Sequence, residues 1–107
     1  MEKEILNCKE KYPKHALLII NPVSGKKLVI RYIPDIIRRL MDSGYLVTTA
    51  VTSCRGEATD MAAQLGADYD LVCCTGGDGT LNEVISGLAS SDTEVALGYI
   101  PCGSTND

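Results

Sequence analysis

Nine consecutive residues, Thr75-Gly76-Gly77-Asp78-Gly79-Thr80-Leu81-Asn82-Glu83, place glycines, a carboxylate and a hydroxyl side by side. Gly76, Gly77 and Gly79 admit backbone conformations closed to other residues and leave no Cβ to block a ligand. An apolar, strand-like run from Tyr69 to Cys74 leads into them. Leu81, Val84, Ile85 and Leu88 follow at helical spacing. A helix starting there turns its unpaired amides and positive dipole end back toward the glycines. That arrangement suits a phosphate group. Asp78 would repel bare phosphate, and Mg²⁺ resolves the conflict, since it is commonly held by one or two carboxylates together with substrate phosphates. The same residues also suit a turn without a ligand. Gly, Asp and Thr are ordinary turn formers, and Thr80-x-x-Glu83 reads as a capping box. Two common phosphate motifs are excluded: Gly77-x-Gly79-x-x ends on Asn82, not glycine, and no Gly-x-x-x-x-Gly-Lys-Ser/Thr occurs.

Two further loops favour a ligand. Leu17-Leu18-Ile19-Ile20 runs into Asn21-Pro22-Val23-Ser24-Gly25-Lys26, and Ala96-Leu97-Gly98-Tyr99-Ile100 runs into Pro101-Cys102-Gly103-Ser104-Thr105-Asn106-Asp107. Short continuous apolar runs of this kind read as buried parallel strands. In an open parallel α/β sheet the carboxyl ends of the strands share one edge, where ligands bind. Three loops distant in sequence would then meet at one crevice.

The elements needed to position them alternate. Strand 1 is expected over Ala16 to Ile20. Val29, Ile30, Ile33, Ile36, Ile37, Leu40 and Met41 recur at helical spacing, with Pro34 predicting a kink or a helix that starts there, and Gly44 a C-cap. Strand 2 is expected over Tyr45 to Thr52. A short helix follows, carrying Ala58, Met61, Ala62 and Leu65 on one face and closed by Gly66. Strand 3 is expected over Tyr69 to Thr75, a helix from Thr80 to about Ala89, and strand 4 over Ala96 to Ile100. Strict alternation predicts an α/β fold: an open, mainly parallel sheet with right-handed crossovers and helices on both faces. Residues 1–14 read as a poorly ordered or weakly helical lead-in. At the other end Asn106-Asp107 would cap a further helix, so the domain is expected to continue beyond residue 107.

With 107 residues the chain allows one small domain, and a composition of 45% hydrophobic residues without Trp or Phe implies an aliphatic core. The five cysteines lack metal-type spacing. Cys73 and Cys74 fall in an apolar strand, and as neighbours they should face opposite sides of the sheet as free, buried thiols. A reduced, cytoplasmic protein is the expectation, with no secretory or membrane-spanning run of about 18 apolar residues. A net charge of −4 argues against nucleic-acid binding. Lys26, Lys27, Arg31, Arg38 and Arg39 are clustered; they suit a solvated helix face or, alternatively, attraction to phosphates or to an anionic membrane surface.

With these loops in place, the chain resembles the catalytic domain of the diacylglycerol kinase family, which includes bacterial lipid kinases and sphingosine kinases. The resemblance lies in Asn21-Pro22-Val23-Ser24-Gly25, in Thr52 with Gly56-Glu57-Ala58, in Gly76 to Glu83 and in Pro101 to Asp107. Gly-Gly-Asp-Gly-Thr alone also resembles NAD kinases and phosphofructokinases; the outer two loops favour the lipid kinases. The resemblance implies transfer of the γ-phosphoryl group of ATP to a lipid hydroxyl. It implies that Asn21, Pro22, Val23, Ser24, Gly25 and Thr52 border the nucleotide. Gly76, Gly77, Gly79 and Thr80 would approach its phosphates, Asp78 would hold Mg²⁺, and Leu81, Asn82 and Glu83 would complete the loop. Ser104 stands where the family often has threonine. Family members carry a second, mostly β domain, expected to supply the general base and much of the lipid site, and none of it is present in this sequence. No catalytic residue is therefore assigned within residues 1–107. His15, the only histidine, precedes strand 1 and is badly placed to act as a base. Residues 15–107 are thus expected to be the nucleotide-binding part of a lipid kinase. Association with the inner face of a membrane and homo-oligomerisation stay open. An NAD kinase-like enzyme and a nucleotide-binding regulatory module without transfer chemistry are the competing readings.

Overall fold

The computed structural model describes residues 8–22 and 28–101. A single helical turn, α1 (Cys8–Lys11), precedes β1 (Lys14–Ile20). Then come α2 (Leu28–Asp42), β2 (Tyr45–Val51), α3 (Glu57–Leu65) with a 3₁₀ turn over Gly66–Asp68, β3 (Leu71–Gly76), α4 (Asp78–Ser90) and β4 (Ala96–Pro101). All strand pairings are parallel, and the order across the sheet is β2-β1-β3-β4. The expected α/β class is the observed one.

Position in the sheet explains the strand sequences. β1 and β3 are central and covered on both faces, so both are continuously apolar or small, and Leu17, Leu18, Ile19, Val72 and Cys74 are fully buried. Each large aliphatic side chain removed from water in this way contributes about 1.5–3 kcal/mol. β2 and β4 lie at the edges and carry more exposed residues, with two threonines in β2.

Two apolar layers sandwich the sheet. On one face Leu17, Ile19, Val72 and Cys74 pack with Ala58 and Ala62 of α3 and Val84 and Leu88 of α4. On the other, Leu18, Ile20 and Cys73 meet Ile33, Ile36, Ile37 and Leu40 of α2. The period-2 alternation of strand side chains divides the cysteine pair between the layers. Cys73 and Cys74 are both buried and outside any disulfide, as expected, and burial pushes the Cys73 thiol pKa up.

Several boundaries differ from those expected. α2 runs unbroken through Pro34, whose ring lies on the exposed side of the helix. Proline gives up only its own bond to the carbonyl four residues earlier, and the apolar stripe against the sheet holds the remainder. Strand 1 starts two residues earlier than expected, at Lys14, because its amide bonds to the Gly44 carbonyl (3.2 Å). Gly44 ends the α2 turn with φ +98°, the conformation a glycine C-cap requires. Strand 2 stops at Val51, strand 3 spans Leu71–Gly76, and strand 4 reaches Pro101.

α3 and α4 approach closely at Gly87, where a Cβ would collide with the Thr59 carbonyl and the Cβ of Ala62. The Thr59 hydroxyl donates to the Glu83 carbonyl (2.9 Å) and secures the same pair of helices.

Candidate functional site

Strand order determines where a ligand can enter. The chain leaves β1 toward β2 and later leaves β3 in the opposite direction toward β4, so connections diverge above the carboxyl ends of β1 and β3. Divergence of this kind opens a crevice at that edge. Asn21 follows β1, and Gly77 and Asp78 follow β3.

The two loops are joined directly. The Asn21 amide donates to the Thr75 carbonyl (3.3 Å), and the Asn21 side-chain Nδ2 donates to Thr80 Oγ1 (2.9 Å). Thr80 is almost entirely buried at 6% exposure, so its hydroxyl is fixed rather than sampling solvent. Gly76 has φ +148°, a backbone state that side chains resist, and it turns the chain from strand to helix. The Tyr99 hydroxyl on β4 donates to the Gly76 carbonyl (3.1 Å).

α4 begins at Asp78 with Gly77 as N-cap, earlier than the expected Thr80. The Thr80-x-x-Glu83 capping box therefore does not form, because Thr80 already lies inside the first turn. Its hydroxyl accepts from Asn21, and Glu83 Oε1 accepts instead from the Gly56 amide (3.2 Å). Among the described residues no side chain caps the helix, so its first-turn amides are directed outward along the dipole axis. Among the described residues, a Cβ at Gly77 or Gly79 would meet nothing within 4 Å. Asp78 and Asn82 are exposed at this end.

The remaining expected site residues divide by surroundings. Thr52 is buried, and its amide (2.8 Å) and, at longer range, its hydroxyl (3.4 Å) both donate to the Ile20 carbonyl. It joins the β2 exit to the end of β1. Leu81 is half-buried and packs on the α3–α4 layer. Glu83 ties α4 to the loop before α3. In that loop Glu57 accepts from the Ser53 amide (2.6 Å) and hydroxyl (2.9 Å), and the amide bond foremost holds its carboxyl below the usual range. Pro22 is half-buried beside Asn21. Val23, Ser24, Gly25 and Ser104 lie outside the described residues.

One contributor escapes a reading by motif. Tyr99 sits in the middle of an ordinary strand, and only the parallel register Cys74↔Tyr99 brings it beside the loop. Thr75 is fully buried at the carboxyl end of β3, and its hydroxyl has no partner among the described residues. His15 lies at the opposite, amino edge, where its amide donates to Asp70 (2.8 Å). Five residues of strand separate it from Ile20, about 16 Å at the rise of a β-strand. A hollow of about 500 Å³ lined by Lys11, Tyr12, Arg38, Met41, Asp42, Ser43 and Gly44 also lies at that amino edge, far from the glycine loop. Arg38 is already paired there with Asp42 (3.0 Å).

Among known proteins, the chain is 40% identical over 95 residues to a diacylglycerol kinase of Bacillus subtilis (strain 168), a match covering 88% of this chain and 31% of that protein. It is 44% identical over 95 residues to a diacylglycerol kinase of Staphylococcus saprophyticus, again covering 88% of this chain and 31% of the relative. The chain thus spans about a third of the length of these relatives. The crystal structure of a diacylglycerol kinase from Bacillus anthracis str. Sterne superposes with a TM-score of 0.71 at 31% identity, over 88% of this chain and 35% of that one. The sequence profile of the diacylglycerol kinase catalytic domain matches residues 15–107, and the chain belongs to that family.

Proposed function

We propose that the protein is an ATP- and Mg²⁺-dependent lipid kinase, and that residues 15–107 are its nucleotide-binding part. The observation that carries this reading is the amino end of α4, which among the described residues has no side-chain cap and nothing beside Gly77 and Gly79, and which is joined to the β1 loop through the Asn21–Thr80 bond. Outward-facing amides at a fixed helix end are a ready anion site, and phosphoryl transfer depends chiefly on positioning and charge neutralisation.

In the reaction the lipid hydroxyl oxygen forms a bond to the γ-phosphorus while the bond between that phosphorus and the β,γ-bridging oxygen breaks. The first-turn amides of α4 and the Gly77 amide hold phosphate oxygens. Thr80, kept in place by Asn21, orients its hydroxyl beside them. Asp78 fits a magnesium ion: its carboxylate is exposed in the first turn, and among the described residues no cluster of three or more His, Cys, Asp or Glu forms a complete cage. Mg²⁺ suits such a half-built site, because it shares its ligands between one carboxylate, water and substrate phosphates. When bound it would neutralise charge on the phosphates. The proton of the acceptor hydroxyl must leave to a base other than His15, which lies at the far edge of the sheet.

Lipid phosphorylation by the intact protein, assayed with ATP, Mg²⁺ and diacylglycerol, tests the proposal. Asp78→Ala should lower transfer by about two orders of magnitude or more with unchanged circular dichroism and thermal midpoint. Near-normal turnover in that variant would remove Asp78 from the mechanism. Phosphorylation of NAD in place of lipid would overturn the lipid-kinase assignment, and absence of any transfer by the intact protein would favour a regulatory nucleotide-binding module.

A further inference from the structure

We propose that Tyr99 is a positioning residue for the phosphate loop, acting through the peptide between Gly76 and Gly77; this rests on the nucleotide site proposed above. That peptide is flanked by two residues without Cβ atoms, so sterics alone do little to hold its plane. The structure supplies another restraint. Tyr99 packs its ring against the α3–α4 layer, and its hydroxyl donates to the Gly76 carbonyl at 3.1 Å.

Direction follows from strand geometry. The Thr75 carbonyl points toward β1, where the Asn21 amide meets it. Successive carbonyls along a strand alternate sides, so the Gly76 carbonyl points toward β4 and Tyr99. The described peptides contain no cis bonds, and in a planar trans peptide the next N–H lies opposite the carbonyl. Pinning the Gly76 oxygen toward β4 therefore aims the Gly77 N–H back toward β1, over the crevice where Asn21 and Thr80 meet. A flip of this one peptide would turn a carbonyl oxygen toward the phosphates in place of a donor. Tyr99 makes that flip unfavourable without touching the ligand.

Tyr99→Phe in the intact protein keeps the ring and deletes only the hydroxyl. Loss of one neutral hydrogen bond should weaken ATP affinity about threefold to tenfold. Adenosine affinity should stay unchanged, because the effect on binding is confined to the phosphates, and the thermal midpoint should fall by only about 2–4 °C. Equal weakening of ATP and adenosine, or unchanged ATP affinity, would overturn the proposal. A second readout needs no nucleotide: in the ¹H–¹⁵N spectrum of the free protein, Tyr99→Phe should shift or broaden the Gly77 amide signal, and an unmoved, sharp signal would overturn the proposal. If the unsubstituted protein binds no ATP, the nucleotide-site reading itself fails, whatever the spectrum of the variant.

Discussion

Asp78 and Thr80 are two positions apart on the first turn of α4 and live in opposite surroundings. Asp78 is exposed, whereas Thr80 is buried and held by Asn21. The cysteines divide in a comparable way. Cys54 is exposed on the loop before α3, while Cys73 and Cys74 are enclosed by the two layers. Burial raises the Cys73 pKa and so depletes the thiolate that reacts with labelling reagents. Cys54 should therefore react in the native protein nearly as fast as in denaturant, with Cys73 and Cys74 at least about a hundredfold slower. Rapid native labelling of the adjacent pair, followed by mass spectrometry of the peptides, would contradict the placement of β3.

At the scale of elements, Gly87 decides how α3 and α4 meet. Helix propensity alone predicts that Gly87→Ala stabilises by about 1 kcal/mol. The added methyl would meet the Thr59 carbonyl, a rigid backbone atom, and overpacking of that kind costs about 1–3 kcal/mol. The clash should win, with urea denaturation giving a net loss of about 1 kcal/mol; a gain in stability would mean that the helices separate freely. The contact was not legible in the sequence, because a glycine inside a helical pattern does not reveal which neighbour it faces. Strand and helix order was legible, since buried central strands leave continuous apolar runs such as Leu17 to Ile20. A glycine turn leading into a helix at Gly76 to Thr80 was legible too, because glycine content is a local signal. Start and stop positions were less so. Thr80 and Glu83 look like a cap from their spacing, but both found tertiary partners, Asn21 and Gly56, that no local pattern encodes. Tyr99 was hidden likewise, because its role depends on register between strands.

At the scale of the molecule, the chain corresponds to about a third of its bacterial relatives, with 31% coverage of the Bacillus subtilis protein. Among the described residues nothing lies within 4 Å of a Cβ at Gly77 or Gly79, and His15 sits at the opposite edge of the sheet. The purified 107-residue chain should therefore show no lipid phosphorylation with ATP, Mg²⁺ and diacylglycerol, since an open site leaves water around the transferring group. Robust activity of that chain alone would overturn the assignment of the remaining chemistry to other parts of the protein. The strand order has a further consequence during synthesis. Ala16 to Ile20 must pair with Leu71 to Thr75, and each pair is separated by 55 residues. At about 5–20 residues per second, a ribosome needs roughly 3–11 s to deliver the second strand after the first. For that interval the most apolar run of the nascent chain has only β2 beside it, so the stretch from Leu17 to Ile20 is where a chaperone would first find something to hold.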